Sequence, residues 1–299
     1  MNELRVTQSM LASNSLKNLS KSYANMGKYQ DQLATGKKIS RPSDDPVVAI
    51  KGMFYRTNLT EVEQYKRNLS EAYTWMENSE AGIEQATQVV QRIRELVVQA
   101  KNDSNSPEDL QAIGVEISQL KEDLVGVANT QVAGRYIFNG TQTKSPPITK
   151  DANGNLDFSK MITNSYNVEV SKGVQLKVNT NANNVFGEEL FNTLNQIETA
   201  LQDGVGSFEN GDAALEKLDG HINSILAERS ELGARYNRLE LVDSRLGDQE
   251  VIATRILSDN EDADIERVIT DLTIQESIHR ASLAVGSRII QPTLMDFLR

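Results

Sequence analysis

The stretch GKKISRPSDDPVVAIKG, residues 36–52, combines residue types that phosphate loops, acid pairs and metal sites use. A phosphate loop needs an upstream glycine five positions before its Gly-Lys pair, then serine or threonine; here Lys37 is followed by Lys38. Asp44 and Asp45 are adjacent, so their carboxylates diverge on a regular element instead of converging on a substrate. A calcium loop needs several more spaced oxygen ligands. The spacing therefore argues against chemistry in this stretch.

The remaining polar candidates carry no motif either. A hydrolase in the middle of the chain would have to use Asp151, Asp157, Glu169 and His221, whose spacing matches no catalytic pattern, so turn and surface roles are expected. The absence of cysteine excludes disulfides, thiolate metal sites and cysteine nucleophiles. The two histidines form no H-E-x-x-H motif. We predict no catalytic, cofactor-binding or metal-binding residues, and a protein that is not an enzyme.

Charge and hydropathy limit the classes of partner. A formal net charge of -11 argues against nucleic acid, because a basic surface supplies most of the affinity for it. No apolar run reaches the roughly 20 residues of a membrane span. The N-terminus has no usual secretory signal. We expect neither a nucleic-acid nor a membrane partner, and export only by a route that does not read a classical signal peptide.

The strongest pattern is a heptad spacing of apolar residues, with steps that alternate between three and four. Only Ser79 among these positions is polar, and so long a seam predicts a helix that packs against partner helices. A helix from about residue 46 to 102 would be ~85 Å long. The seam positions are Val62, Tyr65, Leu69, Ala72, Met76, Ser79, Ile83, Ala86, Val90, Ile93, Val97 and Ala100.

Two further helices follow from the same spacing. Residues 110–127 form a second seam, with Ser106 as the N-cap and Pro107 at the first helical position. Residues 215–256 form a third, in which Arg229 occupies a seam position and is predicted to snorkel to water rather than to pair with an acid.

The segment 134–186 differs, with glycine, asparagine, proline and short alternating runs such as NVEV and VQLKV. The predicted fold class is therefore mainly α: long antiparallel helical rods in a coiled-coil-like bundle, with a small β-rich insertion.

The two ends of the chain carry apolar stripes and opposite charge. Residues 1–41 have seven basic and two acidic side chains, a net of +5, and residues 260–299 have four basic and seven acidic ones, a net of -3. These features predict that the ends pair as helices, the alternative being two disordered tails. The predicted assembly interface sets Leu16, Leu19, Tyr23, Met26 and Leu33 against Ile274, Ile278, Ala281 and Val285.

Residues 36–52 are then predicted to form a joint between two helices. Gly36 suits the left-handed C-cap of the first helix, and Asp45 followed by Pro46 suits the start of the next. Arg41 and Asp44 remain candidates for contacts with a neighbouring subunit. The predicted joint residues are Gly36, Arg41, Pro42, Asp44, Asp45 and Pro46.

Several stretches resemble the flagellin-type family. Its amino-terminal region is similar to LASNSLKNLSKSYANMGKYQDQLATGKKISRPSDDPVVAI, QYKRNLSEAYTWMENSEAGIEQATQVVQRIRELVVQAKN and VANTQVAGRYIFNGTQT, and its carboxy-terminal tail to ASLAVGSRIIQPTLMDFLR. The resemblance implies three domains. Residues 1–44 and 260–299 would form a terminal helical inner core, residues 45–141 and 181–259 a helical rod domain with a β-hairpin, and residues 142–180 a small outer β-rich domain.

The resemblance also implies a function. It predicts a structural, self-assembling protein of the bacterial flagellum, extracellular, and exported by the flagellar type III route without a cleaved signal peptide. The GRYIFNGTQT hairpin and the short insertion resemble members that form the junction layer between hook and filament, while a flagellin filament subunit is the alternative. The implied partners are neighbouring copies, the hook-proximal junction protein, flagellin, and a cytoplasmic export chaperone at the C-terminal helix. The heptads alone would also fit a cytosolic coiled-coil scaffold.

Overall fold

The computed structural model describes residues 8–102, 105–151, 154–202 and 211–290. Two very long helices dominate it, α2 with 55 residues and α6 with 51. The helices are α1 Gln8–Thr35, α2 Pro46–Ala100, α3 Pro107–Ala128, α4 Ala182–Phe186, α5 Glu188–Gln202, α6 Gly211–Glu261 and α7 Ile265–Ile290. The predicted fold class is confirmed. The ends of the predicted inner core, residues 1–7 and 291–299, lie outside the described residues.

The strands of the described chain are short and form three antiparallel hairpins between α3 and α4. They are β1 Gln131–Val132 with β2 Arg135–Tyr136, β3 Thr149–Lys150 with β4 Leu156–Asp157, and β5 Asn167–Ser171 with β6 Val174–Lys177. In the longest, Val168 pairs with Leu176, and both side chains are buried. The longest hairpin of the β-rich insertion therefore turns one apolar face inward.

Contacts divide the chain into two compact units. Unit 1 is Met1–Glu61 with Gln249–Arg299, and unit 2 is Val62–Asp248. Apolar residues of the β-rich segment, such as Ile148 and Val170, belong to the same core cluster as the helices of unit 2. An outer domain of residues 142–180 stays a prediction.

The heptad seam of α2 forms one side of the core of unit 2. Its predicted positions are buried except Tyr65, which is partly buried. Ser79 is buried as well, and its hydroxyl donates a hydrogen bond to the Trp75 carbonyl oxygen at 2.9 Å. The seam keeps its apolar character because that one polar group is satisfied by the backbone of its own helix.

Phe138, which follows the β1–β2 hairpin, sits closely against α2. It is fully buried, and its ring lies 4.9 Å from the Phe186 ring, edge to face. A Cβ on Gly82 would lie 2.7 Å from the Phe138 ring, so only glycine lets the ring approach α2 this closely. Burial of such a side chain stabilises the fold by about 1.5–3 kcal/mol.

The start of α3 follows the sequence prediction. The Asp109 amide donates to the Ser106 hydroxyl at 3.2 Å, and the Asp109 carboxylate accepts from the Ser106 amide at 3.0 Å. This is a capping box, with Pro107 as the first helical residue. The predicted N-cap is confirmed.

The prediction for Arg229 was wrong. Its guanidinium does not extend alone to water but pairs with Glu80, whose Oε1 lies 2.7 Å from Nε, and with Glu84. The two acids are four residues apart on α2, so both face the same position of α6. The hydrogen bond that Arg229 donates to the Glu80 carboxylate raises the pKa of Arg229 above its usual value.

Candidate assembly site: the joint and the terminal helices

The joint begins where α1 ends. Gly36 has a φ of 69°, in the left-handed region that favours glycine, and its amide donates to the Gln32 carbonyl oxygen at 2.9 Å. The last turn of α1 is therefore closed by hydrogen bonding as the chain turns away, which is how a left-handed residue ends a helix.

Both aspartates of the joint bind backbone amides. Asp45 Oδ1 accepts from the amides of Val47 at 3.0 Å and Val48 at 3.1 Å, which caps the first turn of α2 after Pro46. Asp44 Oδ2 accepts from the Arg41 amide at 2.9 Å. The carboxylates thus satisfy amides that a helix start or a tight turn leaves unpaired, and they do not converge on a common point.

The backbone of the joint binds the turn between α6 and α7. The Lys38 amide donates to the Glu261 carbonyl oxygen at 2.7 Å, and the Ala263 amide donates to the Gly36 carbonyl oxygen at 2.8 Å. Lys37 and Asp262 form the isolated β-bridge between these two hydrogen bonds. The two connections of unit 1, α1 to α2 and α6 to α7, are therefore held together through their main chains.

Ion pairs reinforce this contact. Lys37 Nζ donates to Asp262 Oδ1 at 2.6 Å, and Arg56 Nη2 donates to Glu261 Oε2 at 2.7 Å. The hydrogen bond from Lys37, with a second from Ser258, lowers the pKa of Asp262. We call these four charged residues, Lys37, Arg56, Glu261 and Asp262, the joint clasp.

The clasp was not predicted from the sequence. No sequence motif marks Lys37, which in the structure pairs with Asp262, 225 residues further along the chain. The signal was present in the opposite charges of the two termini and in the acidic run SDNEDAD, which spans the end of α6 and the turn after it. Arg41 is exposed and lines a cavity of about 160 Å³ together with Pro42 and Met53.

The terminal helices α1 and α7 pack against each other in unit 1. The Gln275 side-chain amide donates to the Ser22 hydroxyl at 2.8 Å, and the rings of Tyr23 and His279 lie 6.0 Å apart. Because Gly36 meets Ala263 at one end and Ser22 meets Gln275 further along, the helices run antiparallel. The predicted pairing of the two ends is present in the structure, in place of two disordered tails.

Most residues of the predicted assembly interface are exposed in the single chain. Leu19 and Met26 are partly buried. The others are exposed, because the seam between the helices runs through smaller and more polar residues such as Ser22 and Gln275. The predicted assembly interface, which sets the two groups of residues against each other, stays a prediction. We call the exposed members the open terminal residues: Leu16, Tyr23, Leu33, Ile274, Ile278, Ala281 and Val285.

The polar groups considered for catalysis have local roles. The Asp157 carboxylate accepts from the Ser159 amide at 2.9 Å, and the Glu169 carboxylate accepts from the Gly173 amide at 3.0 Å. The Asp151 carboxylate accepts from the Asn155 amide at 2.8 Å. His221 is partly buried beside Thr193, and this burial lowers its pKa.

Among the described residues, no three histidine, aspartate or glutamate side chains are grouped so as to hold a metal ion. Within the same residues, no helix combines the length and the apolar character that crossing a membrane requires.

Comparison with known proteins gives matches over nearly the whole chain. Residues 6–143 match the family described as the bacterial flagellin N-terminal helical region. The flagellar hook-associated protein 3 of Escherichia coli (strain K12) is 26% identical, over 93% of this chain and 95% of the relative. The flagellin of Bacillus subtilis (strain 168) is 26% identical over 94% and 95%.

A solved structure of a related protein has a similar fold. The putative flagellar hook-associated protein from Vibrio parahaemolyticus superposes with a TM-score of 0.65 at 22% identity, and covers 73% of this chain and 100% of its own.

The helical architecture and the matched region make the chain similar to the flagellin-type proteins. Among these proteins, it is similar to flagellar hook-associated protein 3 over most of its length, as the resemblance of its hairpin and short insertion had indicated.

Proposed function

We propose that the protein is a structural, self-assembling subunit of the bacterial flagellum that forms the junction layer between hook and filament. The observation that carries this proposal is the set of open terminal residues on two helices that already pack together. Ile274 and Ile278 are 52% and 48% exposed, so each gains about 1 kcal/mol when a partner buries the rest of its side chain. Neighbouring copies, with their own open terminal residues, are the proposed partners.

The joint clasp supports this role because it fixes the base of the terminal pair. A main-chain hydrogen bond between Gly36 and Ala263, with the ion pair of Lys37 and Asp262 beside it, holds the end of α1 to the start of α7. A subunit can then present both helices to its neighbours as one surface, which lowers the entropy lost on assembly. Asp44 is occupied by backbone amides, so of the two joint residues considered for subunit contacts we propose Arg41 alone.

The remaining partners follow from the similarity to hook-associated protein 3. We propose the hook-proximal junction protein on one side of the layer and flagellin on the other, with the protein extracellular and without catalytic activity. The open residues of α7 need cover before export, because exposed apolar surface promotes aggregation. A cytoplasmic export chaperone bound along α7 would supply that cover.

The test is the position of the protein along the flagellum. Gold-labelled antibodies against the protein on isolated flagella should mark a single short band where hook meets filament. The 26% identity to the flagellin of Bacillus subtilis keeps one other function open, that of a filament subunit. Label distributed along the filament would establish that alternative and reject the junction role.

A further inference from the structure

A long groove lies between α2 and α6 within unit 2. It encloses about 790 Å³, and its floor includes the buried side chains of Met76 and Leu232. Leu226, in the wall, is 43% exposed. Gly233 has no atom within 4 Å of the position where a Cβ would stand, so the groove is open above it. An apolar groove of this size between helices suits a helix as its occupant.

The rim of the groove is acidic. Glu77, Glu80 and Glu84 line it from α2, and Arg229 is the basic residue that lines it from α6. Arg229 pairs with two of these acids, and Glu77 accepts a weak hydrogen bond from the Tyr236 hydroxyl at 3.3 Å. An occupant with an apolar face and positive charge would match both the floor and the rim.

The first turns of α2 carry such a face. Val47, Ile50 and Phe54 are 62%, 63% and 67% exposed, and they recur at i, i+3 and i+7 on one side of the helix. Lys51 lies among them, and residues 46–60 contain no acid. Helices that bind in grooves use anchors at this spacing. We call Val47, Ile50 and Phe54 the α2 anchor.

We propose that the α2 anchor of one copy of this chain occupies the groove between α2 and α6 of a second copy. The proposal rests on the self-assembly proposed above and names the contact that would drive it. The anchor and the groove are different surfaces of the chain. Two copies bound to each other therefore still have one unoccupied anchor and one unoccupied groove. Such head-to-tail contacts build closed rings or open helical arrays, which suits a layer in a tubular organelle.

The chain contains no cysteine, so a single engineered pair reports the contact. Phe54→Cys is combined with Gly233→Cys, and the matched control combines Phe54→Cys with Gly220→Cys. Gly220 is also exposed on α6 with nothing within 4 Å of its Cβ position, but it is not among the groove residues. Both pairs are introduced into the full-length protein in the bacterium, and isolated flagella are treated with a mild oxidant.

The expected result is a ladder of covalent oligomers from the groove pair and monomer from the control. Co-expression with a tagged copy should give tagged–untagged species, which shows that the link joins different chains. Flagella that assemble normally with no ladder, or with equal ladders from both pairs, would overturn the groove contact. The proposed junction role would survive that result, because it is judged separately by antibody position.

A second pair of variants covers the case in which the cysteines prevent assembly. Gly233→Trp fills the groove, whereas Gly220→Trp adds the same bulk outside it. Circular dichroism first confirms that both monomers are helical. Loss of assembly with Gly233→Trp alone supports the contact, and wild-type assembly of Gly233→Trp, or equal loss with both, contradicts it.

Discussion

Arg56 Nη2 lies 2.7 Å from Oε2 of Glu261, and the two partners differ sharply in exposure. The side chain of Glu261 is 6% exposed and that of Arg56 is 63% exposed. A buried carboxylate needs a partner far more than a solvated guanidinium does, because only the carboxylate has lost its water. The contact therefore fixes α6 to α2 within unit 1 through one buried and one exposed partner. Lys37 is the second cation beside Glu261, with its Nζ 3.7 Å from Oε2.

The first prediction concerns this pair. Arg56→Ala leaves Glu261 buried with only the longer contact to Lys37, so we expect a loss of about 1–3 kcal/mol in the free energy of unfolding. Arg280→Ala is the control, because Arg280 pairs with Glu276 at 3.8 Å on an exposed surface and should change stability by about 0.5 kcal/mol or less. Urea unfolding of the monomer, followed by circular dichroism, measures both. Equal effects would show that the burial of Glu261 is irrelevant.

The second prediction concerns the end of α1. Gly36→Ala forces a side chain into a backbone with φ 69°, which should cost about 1–2 kcal/mol. Gly27→Ala is the matched control: it lies inside α1 with open space around its Cβ position and should raise stability by about 0.5–1 kcal/mol. Thermal unfolding would give opposite shifts. A stabilising Gly36→Ala would mean that the joint does not need the left-handed conformation.

The third prediction is a loss of stability at alkaline pH. Burial, with nearby acids led by Asp243, raises the pKa of Tyr73 to about 12 from the ordinary 10.0. The folded state therefore holds this proton more tightly than the unfolded state, so stability is full below pH 10, falls between pH 10 and 12, and levels off above that range.

Tyr73→Phe should flatten the part of this slope that Tyr73 contributes, since phenylalanine has no proton to lose. The remaining slope includes Tyr236, whose pKa is also raised by burial. Trp75, the only tryptophan, reports unfolding of unit 2 by its fluorescence. Identical pH profiles for wild type and Tyr73→Phe would contradict the prediction.

The sequence predicts the helices well because each seam is a repeated pattern. Along α2, one heptad phase holds from Val62 to Ala100, so a single irregular position does not change the prediction of a helix. The N-cap of α3 was also readable, since Ser106, Pro107 and Asp109 are adjacent in sequence and act on one another. These features depend on neighbours in the chain.

The features that sequence reasoning missed depend on residues far apart in the chain. Nothing local marks Glu261 as the partner of Arg56, or Glu80 as the partner of Arg229. The contact between α1 and α7 also joins residues far apart in the chain. The structure places Ser22 and Gln275 in that contact, whereas Ile278 is 48% exposed. Hydrophobicity marks a residue that some partner will bury, and it does not say whether that partner is the same chain.

A residue that only a neighbouring copy buries should matter for assembly and little for the stability of the single chain. Ile278 is 48% exposed in the single chain, so Ile278→Asp removes little packing and should change the stability of the monomer by about 0.5 kcal/mol or less. In the proposed assembly the same side chain is buried by a neighbour, where an unpaired carboxylate is strongly unfavourable. We therefore expect a folded, exported variant that fails to form the junction, with filaments missing and motility lost.

Ser277→Asp is the matched control, because Ser277 is the adjacent exposed residue of α7 and points away from Ile278 on the helix. It introduces the same charge and should leave assembly close to wild type. Swimming assays and electron microscopy of the cells report assembly, and urea unfolding reports the monomer. Normal motility with Ile278→Asp would remove Ile278 from the interface. A matching loss with Ser277→Asp would trace the effect to added charge on α7 instead of burial of one apolar side chain.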